Sequence, residues 1–149
     1  MSEIVIELVH VPIDIERVAS TVNSEYAGAN ILFIGTARKL TNGIETLRLE
    51  YDCHAPMAEA KLRQVAESAC EKFDLVACHI VHRLGMVELK EASIVLGVGS
   101  AHRLSAIHSI EWIMDQIKVT VPIWKKEHLA SGESEWVHHG EKPKDIHAT

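Results

Sequence analysis

The chain has 149 residues, the length of one ordinary domain. Its 15 Lys and Arg against 21 Asp and Glu give a formal charge of −6, which argues against broad nucleic-acid binding and leaves room only for a local basic pocket. Hydrophobic residues make up 47% of it, too many for a disordered chain, so a self-supporting core is expected.

The N-terminus MSEIVIELVH carries acidic residues where a signal peptide needs positive charge. No apolar run approaches the roughly 18 residues that cross a bilayer, so a cytoplasmic chain without a membrane partner is expected. Residues 4–11 read as a strand, and Asp14 stands where an N-cap would open a short helix through about Asn23. Residues 30–36 (NILFIGT) form an apolar run expected of a strand buried on both faces. After the Asn42-Gly43 turn signal, Leu47, Leu49 and Tyr51 alternate with Thr46, Arg48 and Glu50, which suggests a hairpin or longer antiparallel pair across 30–52.

From Pro56 to Phe73 the period becomes helical, with Leu62, Val65, Ala66, Ala69 and Phe73 on one face. Residues 75–82 and 92–98 return to strand character. A second amphipathic helix starts near Ala101, its expected stripe being Leu104, Ile107, Ile110, Met114 and Ile117. It ends near Val119, because Pro122 disfavours helical geometry at Val121. Residues 136–139 read as a last short strand, and 140–149 as a loose polar tail. The order β-α-β-β-α-β-β-α-β predicts one α+β domain over 1–149.

Basic residues fall at three element ends. Arg38 follows the 30–36 strand. His102 and Arg103 follow Gly97-Val98-Gly99-Ser100, where Ser100 as N-cap and nearby glycines would suit a phosphate or carboxylate at a helix start. The ordinary alternative there is a well-capped helix with two exposed polar side chains. Lys118 closes the second helix, where the pattern alone favours an ordinary ion-pair partner of Asp115 or Glu111 and the functional alternative is a base or nucleophile. Lys125 and Lys126 follow Trp124, either with one lysine turned inward or as an exposed loop pair. Ten histidines include no H-E-x-x-H or H-x-H spacing, so no metal is expected. Cys53, Cys70 and Cys78 are odd in number and lack C-x-x-C spacing, which suggests neither a disulfide framework nor a zinc site.

Phe33 to Arg38 (FIGTAR), Leu49-Glu50-Tyr51 followed by Pro56-Met57-Ala58, Ser100 to Arg103 (SAHR), and Asp115 to Lys118 through Pro122 to Glu127 (PIWKKE) occur together in order. In these segments the chain resembles the large, catalytic subunit of molybdopterin synthase. The resemblance implies a hammerhead-type α/β sandwich with a mostly antiparallel sheet and two main amphipathic helices. It implies a homodimer that binds a small ubiquitin-like sulfur carrier at each end, a heterotetramer overall. The carrier's C-terminal glycine thiocarboxylate would supply the sulfur for converting cyclic pyranopterin monophosphate (precursor Z) into molybdopterin. No cofactor and no catalytic cysteine is then required.

Residue by residue, the resemblance makes Lys118 the general acid/base or transient nucleophile. Lys125 would hold the thiocarboxylate or developing oxyanion. Arg38, His102 and Arg103 would bind the substrate's phosphate and pterin, the His-Arg pair in cis or from the other protomer, and Phe33 would wall the pocket. Ala37 and Cys53-His54 depart from the family pattern. The competing readings are a non-catalytic, carrier-binding scaffold of the same fold and an unrelated hydrolase built on the His102/Arg103 site.

Overall fold

The computed structural model describes residues 2–138. Among them the chain forms β1 (Glu3–Val9), α1 (Ile15–Val22), β2 (Ala29–Thr36), β3 (Leu40–Thr41), β4 (Ile44–Cys53) and α2 (Ala55–Phe73). There follow β5 (Leu75–Arg83), β6 (Gly85–Glu88), β7 (Ala92–Ser100), α3 (Arg103–Thr120), β8 (Ile123–Leu129) and β9 (Ser134–His138). His139 and the 140–149 tail lie outside the described residues.

Two sheets carry the fold. The first has the order β1-β5-β7-β2; the second runs β3-β4-β8-β9, with β6 also on β4. Among the described residues only the β1–β5 pairing is parallel. The domain is therefore α+β with mainly antiparallel sheets, as the sequence predicts. Helices α2 and α3 cover one face of the first sheet, their Leu62, Ala66, Ala69, Ile113 and Ile117 joining Ile80, Leu96 and Val98 in the main core. On the other face, Val18 of α1 packs with Val81 and Val95.

Local chemistry explains most boundaries. Asp14 caps α1 by accepting the Arg17 N–H at 3.1 Å. Asp74 ends α2 in the left-handed conformation, its N–H bonded to the Cys70 carbonyl. Asn42 and Gly43 both have positive φ (51° and 81°), the geometry a two-residue hairpin needs between β3 and β4.

Three expectations are corrected. Residues 30–52 are not one hairpin: β2 pairs with β7, whereas β4 pairs with β3, β6 and β8 in the other sheet. Strand β2 is not buried on both faces, because it is the edge of its sheet and leaves Ile34 41% exposed. On α3 the buried stripe is Ala106, Ser109, Ile113 and Ile117, while Leu104 and Ile107 face outward. The small residues Ala106 and Ser109 allow the helix to lie close to the sheet, so bulk alone misidentifies its inner face.

Candidate functional site

Beyond β2 the backbone is pinned. Buried Ala37 donates its N–H to the Glu91 carbonyl (3.1 Å) and accepts from the Lys90 N–H (2.9 Å). Arg38 follows, exposed, with Nε donating to Thr41 Oγ1 at 3.3 Å. Next along the chain, the Lys39 carbonyl accepts from the Thr46 N–H at 2.8 Å. The guanidinium is thus carried on a backbone fixed on either side, and its planar donors are of the kind that can bind an anion. Phe33 is half-buried two residues before Gly35, where an added Cβ would lie 3.3 Å from its ring and 2.8 Å from Ile94 Cγ2.

The start of α3 differs from the sequence reading. Ser100 is not the N-cap; it is the buried last residue of β7, held by pairing to Ala29 and Leu75. His102 occupies the cap position with no side-chain capping bond, and Arg103 is the first helical residue. Both side chains are exposed. The neighbouring glycines serve packing rather than ligand approach. A Cβ at Gly97 would meet Val18 Cγ1 at 2.8 Å, and one at Gly99 would meet the Val22 carbonyl oxygen at 2.4 Å, so they let α1 sit close on β7.

Lys118 lies in the last turn of α3, where a cation suits the helix dipole. It is exposed and makes no ion pair with a described residue, Asp115 and Glu111 included. Lys125 is not on a loop. It sits in β8 opposite Tyr51, 31% exposed, with its ammonium 3.4 Å from Glu127. Lys126, on the other face, places its ammonium 5.4 Å from the Trp136 ring centre. The charges in IWKKEHL mask the alternation of Ile123, Lys125, Glu127 and Leu129, which is why the strand escapes a hydropathy reading. Glu127, which ends the PIWKKE segment, joins Lys125 on one face of the strand through their ion pair.

Fold topology separates two ends. Arg103 and Lys118 are fifteen helical residues apart, about 22 Å at 1.5 Å per residue. Arg103 stands beside the Ala29 end of β2, whereas Arg38 leaves the Thr36 end. Helix α3 runs back along β7 and β2, carrying Lys118 toward the Arg38 end, and the chain enters β8 directly afterwards.

The cysteines are poor nucleophiles. Burial raises the Cys53 thiol, with Asp52's charge adding; burial raises Cys70 despite a hydrogen bond with Ser2; burial raises Cys78 furthest. All three are unpaired thiols. Among the described residues no group of three or more His, Cys, Asp or Glu is arranged to hold a metal. Among the described residues no helix is long and apolar enough to cross a membrane.

These features define an α+β domain whose exposed Arg, His and Lys side chains at element ends suit an anionic ligand. The model of the MoaE protein family matches residues 8–120, and the chain belongs to that family. It is 40% identical over 131 residues to the molybdopterin synthase catalytic subunit of Bacillus subtilis, covering 88% of this chain and 83% of that protein. The Staphylococcus aureus protein of the same name is 38% identical over 133 residues, covering 89% of each. The crystal structure of molybdopterin synthase from Staphylococcus aureus superposes with a TM-score of 0.84 at 37% identity, over 89% of this chain and 96% of that one. A Helicobacter pylori complex of subunits 1 and 2 of molybdopterin-converting factor shares the fold at TM-score 0.71 and 18% identity, over 92% and 91% of the two chains.

Proposed function

We propose that the chain is the catalytic subunit of a molybdopterin synthase. It moves sulfur from the C-terminal thiocarboxylate of a small ubiquitin-like carrier to cyclic pyranopterin monophosphate, forming the dithiolene of molybdopterin. The observation that carries the reading is 40% identity to a catalytic subunit of that name over 88% of the chain. The site residues fit the chemistry. Arg38 binds the phosphate, Phe33 walls the pocket, and Lys118 acts as acid/base or nucleophile on a solvent-facing turn. Lys125 holds the carrier's thiocarboxylate and stabilises the oxyanion. The raised thiols agree with sulfur arriving from a partner.

The span of about 22 Å between Arg103 and Lys118 favours a homodimer in which His102 and Arg103 of one protomer complete the pocket of the other. With a carrier at each end the assembly is a heterotetramer. The test is co-purification with a small Gly-Gly-ending protein, followed by incubation of the thiocarboxylated pair with the pterin. A product mass carrying two new sulfurs supports the reading. Stable carrier binding with an unchanged pterin would support the scaffold instead.

A further inference from the structure

Arg83 closes β5 with a side chain 12% exposed, an expensive place for a guanidinium, because a buried cation gives up hydration that an apolar residue never had. Its Nη1 is 3.0 Å from Glu91 Oε2. Nε and Nη1 are buried and make no hydrogen bond among the described residues, so this contact is one of charge. Glu91 is committed on its other side as well. Its Oε1 accepts the Glu88 N–H at 2.8 Å, and its own N–H donates to the Glu88 carbonyl at 3.1 Å. The carboxylate thereby closes the turn between β6 and β7, which carries the chain from the second sheet to the first. Within that turn Lys90 holds φ at 74°, a left-handed conformation that a residue other than glycine keeps only when its surroundings enforce it.

The same turn grips the segment that bears Arg38. Ala37 donates its N–H to the Glu91 carbonyl at 3.1 Å and accepts from the Lys90 N–H at 2.9 Å, so both backbone bonds of the residue before Arg38 lead into it. We propose that Arg83, acting through Glu91, is a positioning residue that fixes this turn against Ala37 and so sets the affinity of Arg38 for the substrate's phosphate. The inference rests on the assignment of Arg38 to that phosphate. The bland alternative is structural glue, and the two differ in what their removal does. Loss of glue lowers stability. Loss of a buried charge whose partner is still hydrated and hydrogen-bonded need not.

Arg83→Met keeps an unbranched side chain and removes the charge, leaving Glu91, 34% exposed, to water and the Glu88 N–H. In the full chain the urea midpoint is expected to hold. By NMR hydrogen exchange the Ala37 and Lys90 amides should exchange about tenfold faster. The Thr46 amide, bonded to the Lys39 carbonyl beyond Arg38, should not change. With thiocarboxylated carrier and pterin, KM for the pterin should rise about tenfold and kcat stay within about twofold, which is how lost substrate binding reads. Arg38→Ala combined with Arg83→Met should raise KM no further than Arg38→Ala alone. Glu91→Gln, which keeps an acceptor for the Glu88 N–H and removes the charge, should move the same two amides and KM in the same direction. Unchanged Ala37 exchange in both variants, a KM effect that adds to that of Arg38→Ala, or losses that merely follow a fallen urea midpoint would each overturn the proposal. The exchange readout is independent of the reaction. A wild-type chain that leaves the pterin unconverted counts against the sulfurtransferase reading, and the Ala37 and Lys90 amides then decide whether Arg83 holds the turn.

Discussion

Two sets of polar side chains on this domain are treated in opposite ways. Under α1, His79 is 1% exposed, its Nε2 is 2.6 Å from Glu7 Oε1, and its Nδ1 is 2.6 Å from Thr21 Oγ1. Arg17 binds the same Glu7 carboxylate. At the ends of β2 and α3, Arg38, His102, Arg103 and Lys118 are exposed, and the last three make no ion pair with a described residue. A saturated network contributes to stability and leaves nothing for a ligand; unsaturated cations contribute little to stability and remain open to an anion. Mutations in the first set should therefore change folding, and mutations in the second should change turnover.

The sharpest way to break this contrast is to mix protomers. Lys118→Ala and Arg103→Ala homodimers should each lose about 10³-fold in kcat. A hybrid dimer of the two should regain about half of wild-type activity, because one of its two sites keeps both residues if they come from different protomers. A hybrid as inactive as its parents would place both residues of each site in one protomer.

On the stability side, His79→Ala should cost about 3 kcal/mol, read as a lower urea midpoint, by taking one hydrogen-bond partner each from Glu7 and Thr21 and leaving a cavity. Turnover per folded molecule should stay within about twofold; a tenfold fall would erase the division between the two sets.

Acid sharpens the same comparison. Burial pushes the His82 imidazole down to about 4, against the opposing hydrogen bond from its Nδ1–H to the Arg83 carbonyl. Burial also lowers His79. A depressed folded-state pKa means the unfolded chain binds the proton more tightly. Stability is then fully present above the ordinary histidine value near 6.5 and is lost as pH falls toward 4. His82 alone accounts for up to about 3 kcal/mol of that loss. Glu7 is held below the ordinary carboxylate range: burial raises it, but Arg17 and His79 outweigh burial, so it extends the loss at lower pH. Urea midpoints should hold from pH 7.5 to about 6.5 and fall from there to pH 4; a flat profile contradicts the buried-imidazole account.

The smallest expected effect is at Gly99, where a Cβ would come within 2.4 Å of the Val22 carbonyl oxygen. Gly99→Ala should cost about 2 kcal/mol in a thermal or urea melt with little change in turnover. A selective loss of phosphate or pterin affinity would return that glycine to the ligand site.

What the sequence reveals follows from which forces are local. The Asp14 cap, the Asn42-Gly43 turn and the stop before Pro122 are short-range chemistry, and all three stand where the residues suggest. Sheet membership is not local: nothing in NILFIGT tells whether β7 or β4 will be its neighbour, and an edge strand reads like a central one when apolar. Thr46 and Leu47 show the same limit, since the register break between Thr46 and Arg48 buries the threonine and leaves Leu47 43% exposed. Arg38, His102, Arg103 and Lys118 stand at element ends, where the residues suggest, whereas Lys125 does not, because the charges of IWKKEHL hide its strand.

The central claim is that this chain performs sulfur transfer with Lys118 in the reacting centre. It is tested most directly by a single-turnover reaction of pterin with excess thiocarboxylated carrier, resolved by mass, on the wild-type chain and on Lys118→Ala. The account predicts a two-sulfur product from the wild type and none from the variant, which still binds the carrier with wild-type affinity. Equal product from both proteins would contradict it.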